Sequence, residues 1–368
     1  MKILYIPSQS LGVIFWRIES YAQELVKFAD RCTVHVDYFG VNPWEHSYSW
    51  DSVCMGHGKM SQIIQERIKE AFNFFDIIVF QKIQNKNALT IIETLKKKYP
   101  KTKLIAELDD SVGDINPSNI YSDRIKNEHT YAAQHLQLSD AAICSTEYLK
   151  KQVAMIVPET PVYVAPNCVN YDLWQFKEAD QLKKKKKRLG YVGALGHDED
   201  LKIAYRAVMD LYKQKKMQNW EFVIRYGGFL PDWLKPVDGF IDFEPVSVHI
   251  SEYPQFLYDL DIDLALAPLR DTNFNRCKSN LKWLEWSSMG VPLVGSDVEP
   301  FMETNGSLWL SNNDQERFSD VLDFALYTLS NENNVEKLKK DLLKENRENY
   351  NINKECDKLL TFFESMLK

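Results

Sequence analysis

The chemistry-bearing residues of this chain concentrate in one run, Arg276-Cys277-Lys278-Ser279-Asn280-Leu281-Lys282-Trp283-Leu284-Glu285-Trp286, which continues through Gly290-Val291-Pro292 to Asp297. Its spacing predicts a basic loop, a short helix and then a strand. Ser279 is placed to cap the helix by accepting a backbone N–H bond. Gly290 falls where a left-handed residue ends a helix, with Pro292 just beyond. The positive end of a helix beside Arg276, Lys278, Ser279 and Asn280 suits a phosphate. Glu285 lies seven positions after Lys278, about two turns on, so the two should share one side of the helix. A carboxylate there can accept bonds from two neighbouring sugar hydroxyls while the loop holds phosphates. In outline this is a site for a nucleoside diphosphate sugar.

A second group of candidates is Glu107, Asp109 and Asp110, at the end of the apolar run Lys103-Leu104-Ile105-Ala106. In open α/β sheets ligands bind outside the carboxyl ends of strands. One of the two aspartates could orient an acceptor hydroxyl or take its proton. A rival reading makes Glu107-Leu108-Asp109 or Asp261-Ile262-Asp263 a metal-binding Asp-x-Asp element; such three-residue patterns are frequent, and no metal is assigned. The third group is the glycine loop Gly193-Ala194-Leu195-Gly196-His197 between a strand and a helix, where backbone N–H groups can approach a phosphate. Arg225, at the end of the strand Glu221–Arg225, is a further cation for a diphosphate.

The run 274–300 resembles the donor-binding motif of retaining glycosyltransferases of the GT-B fold, in the large family numbered four. That motif carries two glutamates seven residues apart; Glu285, followed by Gly290 and Pro292, is similar to the second, which the resemblance implies binds the ribose. Cys277 stands where the first would be. Phe274-Asn275-Arg276-Cys277-Lys278-Ser279 resembles a branch with a lysine–serine pair in this loop, and Phe75–Lys82 followed by the aspartate pair is similar to the same branch. Val162–Asn170, with Pro166-Asn167, resembles the segment closing the N-terminal domain. The resemblance implies that Gly12 and Arg17, in the loop after the first strand, contact donor phosphate or acceptor. It also implies that Ile241–Val246 borders the nucleotide base, with Val246 among the donor-binding residues. The Arg and Lys usual after the glycine loop are replaced by His197-Asp198-Glu199-Asp200, which moves the diphosphate's charge onto Lys278, Arg276 or Arg225. Catalytic roles fall to Asp109, Asp110 and Lys278.

These residues need a scaffold, and the pattern supplies one. A strand over residues 2–6, a loop over 8–17, a helix over 18–28 and a strand over 33–39 read as a βαβ unit. Helices are expected at 61–74, 88–98, 127–138 and 147–153, and strands at 76–80, 103–108 and 140–145. The pattern restarts with a strand at 189–192, a helix at 201–212 and strands at 221–225, 241–246, 264–268 and 308–310. The fold expected is α/β, two Rossmann-like domains facing a central cleft: an acceptor-side domain over 1–175 and a donor-binding domain over 186–350. The last helix, about 353–368, should return to the first domain. Residues 42–60, with His46, Trp50 and His57, read as a long functional loop. Lys183–Arg188 is a basic run, most simply a solvated linker.

At 368 residues and 45% hydrophobic the chain suits two medium domains. The net charge of −7 disfavours a broad nucleic-acid surface. Its 6 cysteines have no metal-ligand spacing and fit a reducing compartment. Met1-Lys2-Ile3-Leu4-Tyr5-Ile6 runs into a strand rather than a signal peptide, and no apolar run approaches the ~18–20 residues of a membrane helix, so a cytoplasmic enzyme is expected. The partners implied are a nucleotide sugar such as a UDP- or GDP-sugar and a glycan or other hydroxyl acceptor, with no cofactor. Peripheral contact with an anionic membrane through the basic run is a further option. Three other functions compete: a nucleotide-sugar epimerase of the same fold, a non-catalytic sugar-binding protein, and glycosylation of hydroxymethylated phage DNA, for which the 183–188 run would contact the nucleic acid.

Overall fold

The computed structural model describes residues 1–7, 11–38, 59–83, 85–113, 122–177, 186–194 and 196–368. The loop with His46, Trp50 and His57, the first three lysines of the basic run and Leu195 lie outside the described residues. The chain divides into two compact units, one of residues 1–170, 277–279 and 351–368, the other of residues 171–276 and 280–350.

The first unit is built on six parallel strands: β1 Lys2–Ile6, β2 Thr33–Val36, β3 Ile77–Gln81, β4 Lys103–Leu108, β5 Ala141–Cys144 and β6 Val162–Val164. Their spatial order is β2-β1-β3-β4-β5-β6, and every neighbouring pair is parallel. Strands β3 and β5 are buried at every position, because helices cover both faces of a parallel sheet, which is why they read as continuous apolar runs. The flanking helices are fixed by local chemistry. Asn85 accepts N–H bonds from Asn87 and Ala88 to start Lys86–Lys98, and Thr146 caps Glu147–Ile156 through the N–H of Leu149.

The second unit contains β7 Lys187–Gly193, β8 Trp220–Tyr226, β9 Ile241–Pro245, β10 Leu264–Ala267, β11 Leu293–Ser296 and β12 Trp309–Ser311. The order is β12-β11-β10-β7-β8-β9, again parallel throughout. Its core joins the sheet to the helices Asp198–Lys213 and Gln315–Thr328 through Leu201, Val208, Phe222, Phe318 and Leu322.

In each sheet the chain reverses its direction of travel once, between β1 and β3 in the first unit and between β7 and β10 in the second. At such a point the crossovers on the two sides diverge and leave a crevice at the carboxyl ends of the strands, where ligands of open α/β folds bind. The residues that matter are therefore those just after β1 and β3, and just after β7 and β10.

Three local expectations need correction. The segment expected as a loop over 8–17 is helical from Leu11, runs as a π-helical turn over Phe15–Glu19, and continues as Ser20–Leu25. The apolar residues Ile14, Phe15, Trp16 and Ile18 drive this by packing into the core. The expected linker ends earlier than its charge suggested, since β7 begins at Lys187. Lys186 donates to the Gly239 carbonyl at 2.7 Å, Lys187 to that of Leu329, and Arg188 to that of Leu260 at 3.1 Å. The third correction concerns the helix expected after the basic loop. It spans Leu281–Ser287 with Asn280 at the N-cap position and no side-chain cap. Lys278 and Ser279 precede it and belong to the first unit, so Lys278 and Glu285 are not two turns apart on one helix.

Candidate functional site

Around the first unit's reversal point, a π-helical turn brings Arg17 into the interior, where it is 3% exposed. Its Nε donates to Glu107 Oε1 at 2.6 Å. Its Nη1 donates to the Ala165 carbonyl at 2.6 Å and to Asn167 Oδ1 at 3.0 Å. The amide of Asn167 then donates to Ser279 Oγ at 2.6 Å. Arg17 is thus a buried organiser rather than a free cation in a loop. Burial pushes the Glu107 carboxyl up even with the guanidinium alongside, and Glu107 in turn raises Arg17. Ser279, expected to cap a helix, is instead the end of this four-residue chain.

The two aspartates that follow β4 differ. Asp110 pairs with Lys82 Nζ, at the end of β3, and the same ammonium donates to the Ser111 carbonyl at 3.0 Å. Asp109 is half-buried, and its Oδ1 is shielded from water with no hydrogen-bond partner among the described residues. Desolvation first, and then the neighbouring Asp110 charge, push its carboxyl up to about 7. A carboxyl near neutrality at the carboxyl end of a strand is suited to proton exchange with a bound hydroxyl. Gly12 sits in the short helix Leu11–Ile14, and among the described residues a Cβ there would meet nothing within 4 Å.

Cys277, at the position of the missing glutamate, is fully buried in the apolar core of the first unit with Leu108, Val112, Leu149 and Val153. A carboxylate in that environment would lose its hydration without a partner, so the thiol fits where a glutamate would not. Lys278 is half-buried beside it.

The second unit places the remaining candidates apart from one another. Glu285 is 4% exposed and its Oε2 accepts from Lys282 Nζ at 2.9 Å. Lys282 also donates to the Tyr253 hydroxyl at 3.2 Å. Burial acts against the Lys282 charge, but Glu285 and Tyr253 more than offset it and raise the ammonium above its usual range. Tyr253 is pushed up to about 12, first by burial and then by Glu285. The carboxylate expected to meet a ribose is therefore held by a lysine one turn before it.

Two cations expected at a diphosphate are already spoken for by carboxylates. Arg225, 7% exposed, pairs through Nη2 with Asp242 at 2.8 Å and through Nε with Glu244 at 3.3 Å. Arg276 grips Asp271 in bidentate fashion at 2.6 and 2.8 Å, and that pairing lowers the Asp271 carboxyl. Asn280 donates to the Tyr350 hydroxyl at 2.8 Å and to Thr304 Oγ1 at 3.2 Å. Gly193 ends β7, and a Cβ there would come within 2.5 Å of the Tyr191 hydroxyl. Val246 is half-buried, with its N–H on the Tyr226 carbonyl at 2.8 Å.

Several organising residues carried no sequence signal of their own. Asp200, 1% exposed in the first turn of the helix after the glycine loop, accepts from the Arg270 N–H at 2.8 Å and the Asn275 amide at 3.2 Å, and meets His197 Nδ1 at 2.8 Å. It ties the segment after β10 to the loop after β7. Lys82, Asn167 and Lys282 stood inside the quoted motifs, and Tyr253 outside them, all without an assigned role, because each is defined by a partner brought near by folding; only Lys282, three residues before Glu285, had a spacing that could have revealed its partner. Asp263 accepts from the Arg188 N–H at 2.7 Å and Asp261 has φ +49°, so the Asp261-Ile262-Asp263 element serves a turn. Among the described residues no group of three His, Cys, Asp or Glu side chains could hold a metal ion.

No protein-family model matches the chain, and no curated protein does. Solved structures do. Anabaena HepE in complex with UDP-glucose is similar over 99% of this chain and 100% of its own, with a TM-score of 0.64 at 12% identity. Sucrose-phosphate synthase from Thermosynechococcus elongatus aligns over 100% of this chain and 99% of its own, with a TM-score of 0.68 at 11% identity. A structure described as a putative UDP-N-acetylglucosamine 2-epimerase from Listeria monocytogenes aligns over 99% and 96%, with a TM-score of 0.56 at 15% identity. At such identities the likeness establishes the fold: the two-domain α/β architecture of GT-B glycosyltransferases.

Proposed function

We propose that the chain is a glycosyltransferase that moves a sugar from a nucleoside diphosphate sugar to an acceptor hydroxyl, with retention at the anomeric carbon, in glycan or surface polysaccharide assembly. The donor is assigned to residues 186–350, helped by Lys278, and the acceptor to residues 1–175. The observation that supports this most is the full-length likeness to a fold solved elsewhere with UDP-glucose bound. Glu285 is the residue proposed to meet the ribose, sharing its carboxylate with or releasing it from Lys282. Lys278 is proposed for the diphosphate, as the cation of the lysine–serine pair in the run that resembles a donor-binding motif. The charge that develops on the departing diphosphate is the main barrier, and a preorganised cation there is worth about 3–4 kcal/mol in other enzymes. No cofactor enters this scheme.

Screening UDP- and GDP-sugars by thermal shift identifies the donor, since a ligand of the folded state raises its stability. Nucleotide release with an acceptor present then tests transfer. Lys278→Ala is expected to slow release on the order of 10²-fold, and Glu285→Ala to weaken donor binding; unchanged rates in both variants would defeat the assignment. The structural likeness to an epimerase favours a second reading. Incubating the donor alone and finding its epimer would select that reading.

A further inference from the structure

The two aspartates after β4 are adjacent in sequence, yet their surroundings are unequal. Lys82 is 4% exposed and fixed by the strand it ends: its N–H donates to the Glu107 carbonyl at 2.9 Å, its Nζ to the Ser111 carbonyl at 3.0 Å, and the same Nζ pairs with Asp110 Oδ1. Asp109 is held by its backbone, whose carbonyl accepts from Ser145 Oγ at 3.1 Å, while its Oδ1 is dry and has no hydrogen-bond partner among the described residues. Lys82 follows β3 and Asp109 follows the neighbouring β4, both at the carboxyl end of the sheet. We propose that Lys82 is a positioning residue that takes Asp110 as its ion-pair partner and so leaves Asp109 as the group that receives the acceptor hydroxyl's proton. The inference rests on the transferase reading and names the base within it.

The charges that act most strongly on Asp109 are those of Asp110, Lys82, Glu107 and Arg17. Arg17 and Glu107 neutralise each other at 2.6 Å. Burial raises the Asp109 carboxyl most; Asp110 raises it further, and Lys82 is the cation that lowers it. A single group near neutrality results, poised between holding and releasing a proton at working pH. In the step itself, the acceptor O–H bond breaks and its proton moves to the Asp109 carboxylate. The freed oxygen pair forms the new bond to the anomeric carbon, and the old carbon–oxygen bond pair leaves with the nucleoside diphosphate. The proton passes to solvent after the product departs. This assignment concerns the acceptor hydroxyl alone and leaves the face of attack to the donor.

The test is two pH titrations of the full chain, one by the carbon-13 signal of the Asp109 carboxyl and one by transfer rate under saturating donor. In the wild type both should show a transition near pH 7. Removing the cation in Lys82→Met should move both transitions to higher pH; removing the anion in Asp110→Asn should move both to lower pH. Lys82→Arg should restore the wild-type position, which a merely misfolded Lys82 variant would not reveal. Asp109→Asn should remove the transition in rate and slow transfer by on the order of 10²–10⁴-fold. Shifts in the same direction in the two variants, or an Asp109→Asn enzyme of wild-type rate, overturn the proposal while leaving the transferase reading in place. Opposed carbon-13 shifts without transfer to any acceptor overturn the transferase reading, and Asp109's role as base with it.

Discussion

Burying a charge is costly unless a partner of matching geometry goes with it, and Arg17 shows what that requires. Its guanidinium reaches Glu107, the Ala165 carbonyl and Asn167 from the middle of a π-helical turn. Removing one member leaves the other dry and uncompensated, an effect of about 3–5 kcal/mol for buried pairs. Arg17→Ala and Glu107→Ala should each lower the urea midpoint of the first unit markedly, with Arg17→Lys failing to rescue because an ammonium lacks the forked donors. A double apolar replacement, Arg17→Met with Glu107→Leu, should recover much of the loss; if it is as unstable as the single variants, the pair is not the cause. None of this was legible in sequence, since the partners are separated by 90 positions. The Lys282–Glu285 pair, by contrast, sits three positions apart and could be read directly.

Buried histidine gives a second test at this scale. His135 accepts from the Ile83 N–H at 3.4 Å, packs edge-on against Phe80, and has its pKa lowered to about 3, first by burial. The folded chain keeps this ring neutral while the unfolded chain protonates it near 6.5. Below about pH 6.5 the unfolded state therefore binds one proton more, and stability falls as pH drops toward 3 by about 1.4 kcal/mol per unit. His135→Gln should reduce the slope of stability against pH by that amount between pH 6 and 4. An unchanged slope would show that the ring is not held neutral.

At the scale of elements, apolar runs and turn residues carried most of the information. Strands such as Ile77–Gln81 and Ala141–Cys144 are apolar on both faces and could be placed within a residue or two. The end of the helix Leu281–Ser287 was legible for a specific reason: Gly290 takes φ +74°, which costs other L-residues roughly 1–2 kcal/mol. Gly290→Ala should therefore destabilise the second unit by about that amount, and somewhat more if Lys339 cannot move, because a Cβ would meet its Cγ at 2.4 Å. A melting curve identical to wild type would contradict it. The start of the same helix was not legible. Ser279 has the side chain of a cap, but tertiary contact with Asn167 claims it, and local propensity yields to that.

At the scale of the molecule, the repeat of strand–helix patterns announced two sheets, but not that three residues around Lys278 cluster with the first unit. The chain also ends in that unit. The helix Ile352–Met366 buries Cys356, Leu359, Leu360 and Phe363, stacks Phe362 on Tyr163 at 5.1 Å, and is tied to the N-terminal region by Arg31–Glu364 at 2.9 Å, by Arg31–Asp357 and by Asn353–Glu24 at 2.9 Å. The ion pairs are exposed and contribute little. The apolar side chains contribute about 1.5–3 kcal/mol each when fully buried, which together rivals the 5–15 kcal/mol that typically separates folded from unfolded states. Deleting residues 352–368 should therefore unfold the first unit at ambient temperature. The second unit owns a separate core, with Leu201, Phe222, Leu264 and Phe318 contributed from within it, and should stay folded. Amide hydrogen exchange resolves the two: protection should vanish in strands β1 to β6 and persist in strands β7 to β12. Loss of protection in both halves would mean that the units fold as one, and that the second sheet does not stand on its own core.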